Sequence, residues 1–308
     1  MTQSFEKVVE LIRQRAPLHK KRLDTWLSST DRNFENEAED FFSFYFEYLA
    51  ESGYSIEDVV DAYLGMCNTM LRYQVAFLRL GSYPKIDAES AKYNVYTKPD
   101  KMLPYMIGLA MSQFLWSTHY RIFEFYKNAI KGFQNDIKSY LEIGPAHGLY
   151  MRQMFMECNN IEKAIAVDIS DISLNLTEKI INRFFQTNCL NRSAEFILGD
   201  VTEINFRESF DFITMGEILE HVDRPGELLN KISSLLSVRG KAFISTCANC
   251  PMIDHVIEFN RVGQIKELIE ISGLTIIDEL ALPSELMSVS EAEEKRVTIN
   301  YCAILEKK

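Results

Sequence analysis

Apolar residues recur at intervals of three and four positions through roughly the first 135 residues of the chain. One such series consists of Val59, Tyr63, Met66, Met70 and Tyr73. Because about 3.6 residues complete a helical turn, this spacing places the series along one face of a helix. The pattern predicts five helices and no convincing strand in this half: residues 5–15, 18–27, 35–50, 56–80 and 101–131.

Turn-forming residues mark where some of these helices begin and end. Ser55 followed by Asp58, with Gly53 just before, is typical of a helix start. Residues 81–104 contain Pro84 and Pro99 and are predicted to form a long connection between helices.

From residue 139 the pattern changes to short apolar runs separated by helical segments. Such alternation predicts a parallel sheet covered by helices, whose ligands bind at the carboxyl ends of the strands. We therefore expect two domains, an all-helical one over residues 1–135 and an α/β one over residues 136–308. The strand-like runs are residues 139–144, 163–169, 194–200, 210–216 and 240–247, with helical patterns at 174–185 and 225–236.

Composition and charge narrow the classes of function. The 308 residues are 47% hydrophobic and 25% charged, which excludes disordered and collagenous chains. The net charge of −11 would repel a phosphate backbone. The one basic cluster, residues 19–22 with Arg13 and Arg15, is typical of a solvated helix face. A nucleic-acid partner is therefore not expected.

Apolar runs and cysteines indicate the compartment. The N-terminal segment carries charges every few residues, and no stretch approaches the roughly 18 apolar residues of a membrane span. Six scattered cysteines are too sparse for a disulfide framework, so we expect a cytoplasmic protein without a membrane partner. Cys247 and Cys250 form a CxxC, but no second CxxC follows. The pair is interpreted as a strand end with small side chains.

The first two strand-like runs end in residues suited to a nucleoside cofactor. Glu142 ends the first, and small residues at 144, 146 and 148 then let the backbone turn sharply and approach a ligand. Asp168 ends the second run, 20 residues after Gly148, where a carboxylate can hold two ribose hydroxyls. These features also fit a nicotinamide dinucleotide.

The third and fourth runs separate the alternatives. Asp200 offers an acceptor for an adenine amino group, and the fourth run continues into the segment from Glu217 to Pro225. With Gly240 opening the fifth run, these ordered features resemble the class I S-adenosylmethionine-dependent methyltransferases over roughly residues 120–308. A dinucleotide fingerprint would need a third glycine that is missing here, and it leaves the fourth run unexplained.

The resemblance implies an α/β fold: a Rossmann-like, seven-stranded methyltransferase sheet with an N-terminal all-helical domain. Residues 274–280 and 297–305 would supply the sixth strand and an antiparallel seventh. The implied cofactor site has Glu142, Gly144, Ala146 and Gly148 at the methionine part, Asp168 at the ribose, and Ile169, Asp200 and Val201 at the adenine.

The segment Glu217-x-x-Glu220-His221 carries the most informative chemistry. If a helix has begun there, Glu217 and His221 form an i, i+4 pair on one face. Two carboxylates and an imidazole can bind a divalent ion, and the pattern resembles metal-dependent 2'-O-methyltransferases of small RNAs and ubiquinone-pathway O-methyltransferases. The predicted ligands of a Mg, Mn, Fe or Zn ion are Glu217, Glu220, His221 and, from after the fifth strand, His255. Without a metal, Glu217, His221 and His255 are the predicted catalytic residues, with a histidine as the base.

The predicted function is methyl transfer from S-adenosylmethionine to a small-molecule acceptor, with the acceptor atom undetermined. Eleven of the fourteen tyrosines lie in the helical half, which is predicted to be a lid that supplies acceptor-pocket side chains and a homodimer contact. Two alternatives remain: a cyclase or alkyltransferase that releases methylthioadenosine from the same cofactor, and a metal-dependent RNA 2'-O-methyltransferase.

Overall fold

The computed structural model describes residues 4–83 and 87–308. Within these residues, helices occupy most of the chain before the first strand. They are α1 (Ser4–Arg15), α2 (Pro17–Leu27), α3 (Arg32–Glu51), α4 (Ile56–Leu80), α5 (Ala88–Ala91) with a π-helical turn at Lys92–Tyr96, α6 (Pro99–Leu115) and α7 (Ser117–Phe133). The first four agree with the predicted helices to within a few residues, and Ser55 and Asp58 form the expected capping box at the start of α4.

The predicted single helix over 101–131 is wrong, because the chain breaks at Trp116. This residue is extended (φ −116°, ψ 125°) and ends α6 as well as preceding α7. Its indole nitrogen donates to the Tyr63 hydroxyl at 2.8 Å, and the Trp26 indole donates to the Phe114 carbonyl at 2.9 Å. Both bonds join residues far apart in sequence, so apolar periodicity could not reveal the break.

The predicted connection over 81–104 is too long. Helix α6 already begins at Pro99, at a position where a missing amide hydrogen costs no helical bond. The connection also includes α5 and the π-helical turn. Residues 84–86 of this stretch lie outside the described part of the chain.

Seven strands form one sheet in the order β3-β2-β1-β4-β5-β7-β6. They are β1 (Ser139–Ile143), β2 (Lys163–Asp168), β3 (Glu195–Leu198), β4 (Phe210–Gly216), β5 (Leu236–Ala248), β6 (Leu274–Pro283) and β7 (Ile299–Lys307). The pairs among β1 to β5 are parallel, whereas β7 is antiparallel to both β5 and β6. The strand order reverses between β1 and β4, which opens a crevice at their carboxyl ends. The predicted fold class is confirmed.

Helices α8 (Leu149–Glu157), α9 (Asp171–Thr187), α10 (Pro225–Leu235), α11 (Val262–Ile271) and α12 (Val289–Lys295) follow the strands. Two hydrophobic clusters result, and one of them contains buried residues of α10, α11 and β5. The other continues from the sheet through α7, α8 and α9 into α1, α3 and α4. The helical region therefore shares a core with the sheet.

Tyr126 on α7 joins the two regions most directly. Its buried ring lies 4.8 Å from that of Tyr150 on α8 and 5.0 Å from that of Phe243 on β5, and its hydroxyl donates to the Tyr150 carbonyl.

The predicted domain boundary between residues 135 and 136 lies between α7 and β1. In the described part of the chain, no helix has both the length and the apolar character to cross a membrane.

We expect the helical region and the sheet to unfold together, because they share one core. Both tryptophans, Trp26 and Trp116, lie in the helical region, so their fluorescence reports on that region alone. In urea, the fluorescence and far-UV circular dichroism transitions should coincide. Tyr126→Ala should lower the free energy of unfolding by about 3–5 kcal/mol in both signals.

The matched control is Tyr126→Phe, which removes only the hydrogen bond to the Tyr150 carbonyl and should cost about 1 kcal/mol. A two-step dichroism curve, with fluorescence following one step, would contradict the shared core.

Candidate active site

The turn between β1 and α8 brings main chain to the edge of the sheet. Gly144, Ala146 and Gly148 all have positive φ, at 64°, 50° and 69°. A Cβ on Gly144 would lie 2.4 Å from Cδ1 of Ile218, so only glycine fits without a shift. The Thr177 hydroxyl donates to the Ala146 carbonyl at 2.9 Å and fixes the turn against α9. Three of the four residues predicted at the methionine part thus belong to one turn, and the fourth, Glu142, lies on β1.

Asp168 ends β2 with its carboxylate already oriented. One oxygen accepts from the Ser170 amide at 2.8 Å and the other from the Ser173 hydroxyl at 2.6 Å. Burial raises the pKa of Asp168 to about 6, and these hydrogen bonds oppose the rise. A carboxylate oxygen has two lone pairs, so this group has the acceptor chemistry that ribose hydroxyls require. Ile169, next along, is 38% exposed.

Neither serine was predicted from the sequence to belong to the site. Ser170 caps α9 and Ser173 lies one helical turn later, so a serine pair directly after an acidic strand end was the available signal.

Asp200 and Val201 follow β3 and lie at the same edge of the sheet as Asp168. The Gly199 amide donates to the Asp168 carbonyl at 2.9 Å, which joins the two strand ends. One Asp200 oxygen accepts from the amide and the hydroxyl of Thr202, at 2.8 and 2.7 Å, and the other has no such bond. The Val201 side chain is buried.

Glu142 is a buried carboxyl near the start of the β1–α8 turn. The Tyr140 hydroxyl donates to it at 2.6 Å. Burial raises the pKa of Glu142 to about 8, and the Tyr140 bond opposes the rise. The group is therefore mostly protonated at neutral pH in the protein without ligands.

The segment after β4 does not form the α-helix on which the i, i+4 pairing of Glu217 and His221 depended. Glu217 has a positive φ of 52°, Leu219–His221 form a single 3₁₀ turn, and α10 begins only at Pro225. The pairing is wrong because Pro225 and the tight turn delay the helix.

The turn instead directs Glu220 inward. Its carboxylate accepts from the Thr246 hydroxyl at 2.7 Å and lies 3.7 Å from the Cys247 sulfur. Burial raises the pKa of Glu220, and it raises that of Glu217 well above its ordinary value, with the charge of Glu220 adding to the rise.

His221 and His255 meet because the Glu220 carbonyl holds the loop after β5. It accepts the amides of Val256 and Ile257 at 2.7 and 3.0 Å. The two imidazole rings then lie edge to face with centroids 4.7 Å apart. Burial, together with the nearby His221, lowers the pKa of His255 to about 3, so this ring is neutral.

Asp254 and Tyr96 orient His221. Its Nδ1 lies 2.9 Å from the Asp254 carbonyl oxygen and 3.0 Å from the Tyr96 hydroxyl. The same hydroxyl is 3.2 Å from the Asp254 carboxylate. Neither partner was predicted, because both lie far from His221 in sequence.

Among the residues that the structure describes, the possible metal ligands form three overlapping groups, each with its donor atoms within 4.8 Å of one another: Glu220, His221 and His255; Glu217, Glu220 and Cys247; and Cys247, Cys250 and His255. The four predicted ligands are thus divided between the first two groups. Metal binding stays a prediction, and two cysteines join the candidates.

One cavity of about 2120 Å³ lies between the helical region and the strand ends, and both the possible metal ligands and the predicted cofactor residues other than Gly148 line it. Tyr96, Tyr105 and Trp116 line it from the helical side. Tyr45 and Tyr120 belong to the hydrophobic core instead. Only some of the N-terminal tyrosines therefore line the cavity, while others belong to the hydrophobic core.

Comparisons with known proteins now add to this geometry. The sequence matches the family described as "Methyltransferase domain" over residues 117–277. No curated protein matches the chain.

Among solved structures, the chain is similar to the [4+2]-cyclase SpnF at 10% identity and a TM-score of 0.52, covering 73% of this chain and 98% of that one. The mitomycin 7-O-methyltransferase MmcR also has 10% identity and a TM-score of 0.52, with 78% and 68% covered. The N-methyltransferase NodS from Bradyrhizobium japonicum WM9, in complex with S-adenosylhomocysteine, has 14% identity and a TM-score of 0.44, with 62% and 88% covered. The first two likenesses show a shared fold.

Ionisation of Glu142 should destabilise the ligand-free chain as pH rises. A carboxyl whose pKa is raised on folding contributes stability below its ordinary pKa, and this contribution is lost as pH rises through the folded value of about 8. Glu142→Gln stays neutral and avoids the loss. In thermal melts, the melting temperature of the variant should rise relative to that of the native chain as pH increases from about 5 to about 8.5.

Glu178→Gln, on the exposed face of α9, controls for the removal of one carboxyl. An equal pH dependence in the native chain and Glu142→Gln would refute the effect.

Proposed function

The chain belongs to the methyltransferase-domain family and is an S-adenosylmethionine-dependent methyltransferase, and we propose that its acceptor is a small molecule bound between the helices and the strand ends. One observation carries this proposal: a single cavity reaches from the Asp168 edge to His221 and on to the helical region. Such a site can surround a small acceptor and exclude water from the transfer.

The residues at the strand ends fit the cofactor. Three alternate positive-φ positions, Gly144, Ala146 and Gly148, expose main chain where the methionine part would lie. Asp168 offers carboxylate oxygens to the ribose hydroxyls, and Asp200 follows the neighbouring strand end for the adenine. We assign cofactor binding to Glu142, Gly144, Ala146, Gly148, Asp168, Ile169, Asp200 and Val201. When bound, the cofactor supplies a methyl group on a positively charged sulfur, so the protein contributes mainly alignment and exclusion of water.

His221 is the proposed base for an acceptor hydroxyl or amine. When Nδ1 carries the proton and donates it to the Asp254 carbonyl, Nε2 keeps a lone pair that can remove a proton. Tyr96 links this arrangement to the helical region. Glu217 and His255 adjoin His221 and help to set the charge around it.

The cavity walls favour an acceptor with an apolar part. Its helical side is lined by Leu64, Met70, Met102, Met106 and Leu109. At its mouth, Leu18, Leu71, Leu78 and Leu286 are exposed to solvent. Solvent-exposed leucines beside a cavity mark a surface on which an apolar ligand gains free energy.

Ion pairs argue against an RNA acceptor. Three arginines of the basic cluster are paired: Arg13 with Asp24, Arg15 with Asp61 and Arg22 with Glu285. Paired side chains release fewer counterions from a phosphate backbone.

Two further parts of this proposal concern location and assembly. All six cysteines are free, which fits the reducing conditions of the cytoplasm. A homodimer through the helical region also remains part of the proposal.

Cofactor affinity should depend on the ionisation of Asp168. A protonated carboxyl has one acceptor fewer, so S-adenosylhomocysteine should bind about tenfold more weakly for each pH unit below the pKa of about 6. The Asp168→Asn variant should bind S-adenosylhomocysteine weakly at every pH. Calorimetric titrations across this range measure both effects, and Asp171→Asn, in the first turn of α9, is the matched control. Unchanged affinity in Asp168→Asn would count against the assigned cofactor site.

Methyl transfer itself is tested with methyl-labelled S-adenosylmethionine and a panel of small phenols, amines and carboxylic acids that carry apolar groups. We expect label in one class of acceptor and release of S-adenosylhomocysteine. Release of methylthioadenosine would instead identify the cyclase or alkyltransferase alternative, and label in an RNA sample would identify the RNA enzyme.

With a labelled acceptor in hand, His221→Asn should lower kcat by about 10²–10⁴ for a hydroxyl acceptor, since it removes the base. The asparagine amide can still donate to the Asp254 carbonyl, so cofactor affinity should stay unchanged. Full turnover in this variant would exclude His221 as the base.

A further inference from the structure

Two cysteines that the mechanism does not use lie at the same end of the cavity as the two histidines. Cys247 is near the end of β5, and Asn249 follows with a left-handed φ of 53°. The Asn249 side chain donates to the Asn260 carbonyl, and its amide donates to the Phe259 carbonyl, so the turn is fixed. This turn brings the Cys250 sulfur within 4.8 Å of the Cys247 sulfur.

His255 completes the group from the following loop. One of its ring nitrogens lies within 4.8 Å of both sulfurs. The residue is only 5% exposed, and its Nδ1 has no hydrogen-bond partner among the described residues. A buried nitrogen without a partner is unusual in a folded protein and points to a missing ligand.

The charge around the group also calls for a cation. Within the described residues, Glu217, Glu220 and Asp254 form no ion pair with lysine or arginine, and an Asp254 carboxylate oxygen lies 3.6 Å from Nδ1 of His221. Glu220 is buried and lies 3.7 Å from the Cys247 sulfur. A buried carboxyl such as Glu220 ionises only at a cost in free energy, and a nearby divalent ion would lower that cost.

We propose that Cys247, Cys250 and His255 form a zinc site that opens into the acceptor cavity. Two thiolates and an imidazole are ligands that zinc prefers, and three protein ligands leave a fourth position for a carboxylate, water or substrate. All three residues line the cavity, and the Glu220 carboxylate lies 3.7 Å from the Cys247 sulfur. This set differs from the predicted set of Glu217, Glu220, His221 and His255, which contains no sulfur.

A zinc ion at this site would also help to activate the acceptor, and this step alone rests on the proposed function. A hydroxyl or thiol of the acceptor that binds at the fourth position would lose its proton more readily, because a zinc ion lowers the pKa of its ligands. His221, whose ring adjoins that of His255, would receive this proton.

Cobalt substitution tests the site without reference to turnover. The full chain is reduced completely with a phosphine, freed of metal and titrated with Co²⁺ in the absence of oxygen. We expect one equivalent to bind, with the near-ultraviolet absorption of sulfur-to-cobalt charge transfer. Cys247→Ser and Cys250→Ser should each weaken binding by more than about 100-fold, since even changes outside the ligand set cost 10–100-fold.

Cys158→Ser is the matched control, because Cys158 is also buried and free but lies at the end of α8. It should bind Co²⁺ as the native chain does. Cys250 is partly exposed, so Cys250→Ser decides the question if Cys247→Ser does not fold.

Two results would overturn the proposal: Co²⁺ binding without sulfur charge transfer, which would place the ion on oxygen and nitrogen ligands, and no Co²⁺ uptake by the reduced chain. Calorimetry with S-adenosylhomocysteine on the same samples reports on the cofactor site separately. A chain that binds the cofactor but not Co²⁺ refutes the zinc site alone, and the converse result refutes the cofactor site alone.

Discussion

The reactive end of the cavity depends on the turn that follows β4. Glu220 holds this turn from both sides: its carboxylate accepts from Thr246 on β5, and its carbonyl accepts two amides of the loop that carries His255. A helix beginning directly after β4 would direct Glu220 elsewhere and leave this loop without its anchor. The tight turn is therefore what brings two histidines, three carboxyls and two thiols into one small region.

This concentration of acidic groups has an electrostatic consequence. Glu217, Glu220 and Asp254 line one end of the cavity, and burial there makes an ionised Glu217 or Glu220 costly. A cationic sulfonium or a divalent ion would lower that cost, so the region is suited to hold positive charge. His255 is neutral there, which keeps its lone pair available, whereas Glu142 and Asp168 at the cofactor end have raised pKa values and respond to pH.

The helical region contributes to both the fold and the site. Tyr126 packs against the sheet helices and closes the core, while Tyr96 contacts His221 across the cavity. Because these residues belong to one continuous helical region, displacement of the helices would disturb both the core and the orientation of the proposed base. The cover of the cavity is thus part of its chemistry as well as a barrier to water.

Local patterns in the sequence were sufficient for the alternation of strands and helices, the first four helices and the ordered acidic strand ends, because periodicity and capping depend on residues within a few positions of one another. The seven-stranded fold followed from the resemblance to a family. The capping box at Ser55 and the glycine turn after Glu142 are of this kind. The tertiary structure alone decided three other features. These are the break at Trp116, the orientation of His221 by Asp254 and Tyr96, and the proximity of Cys250 to His255. Each of these features results from contacts between separate elements. The sequence alone gave the CxxC no partner, because His255 reaches it on a loop whose position depends on hydrogen bonds to the Glu220 carbonyl.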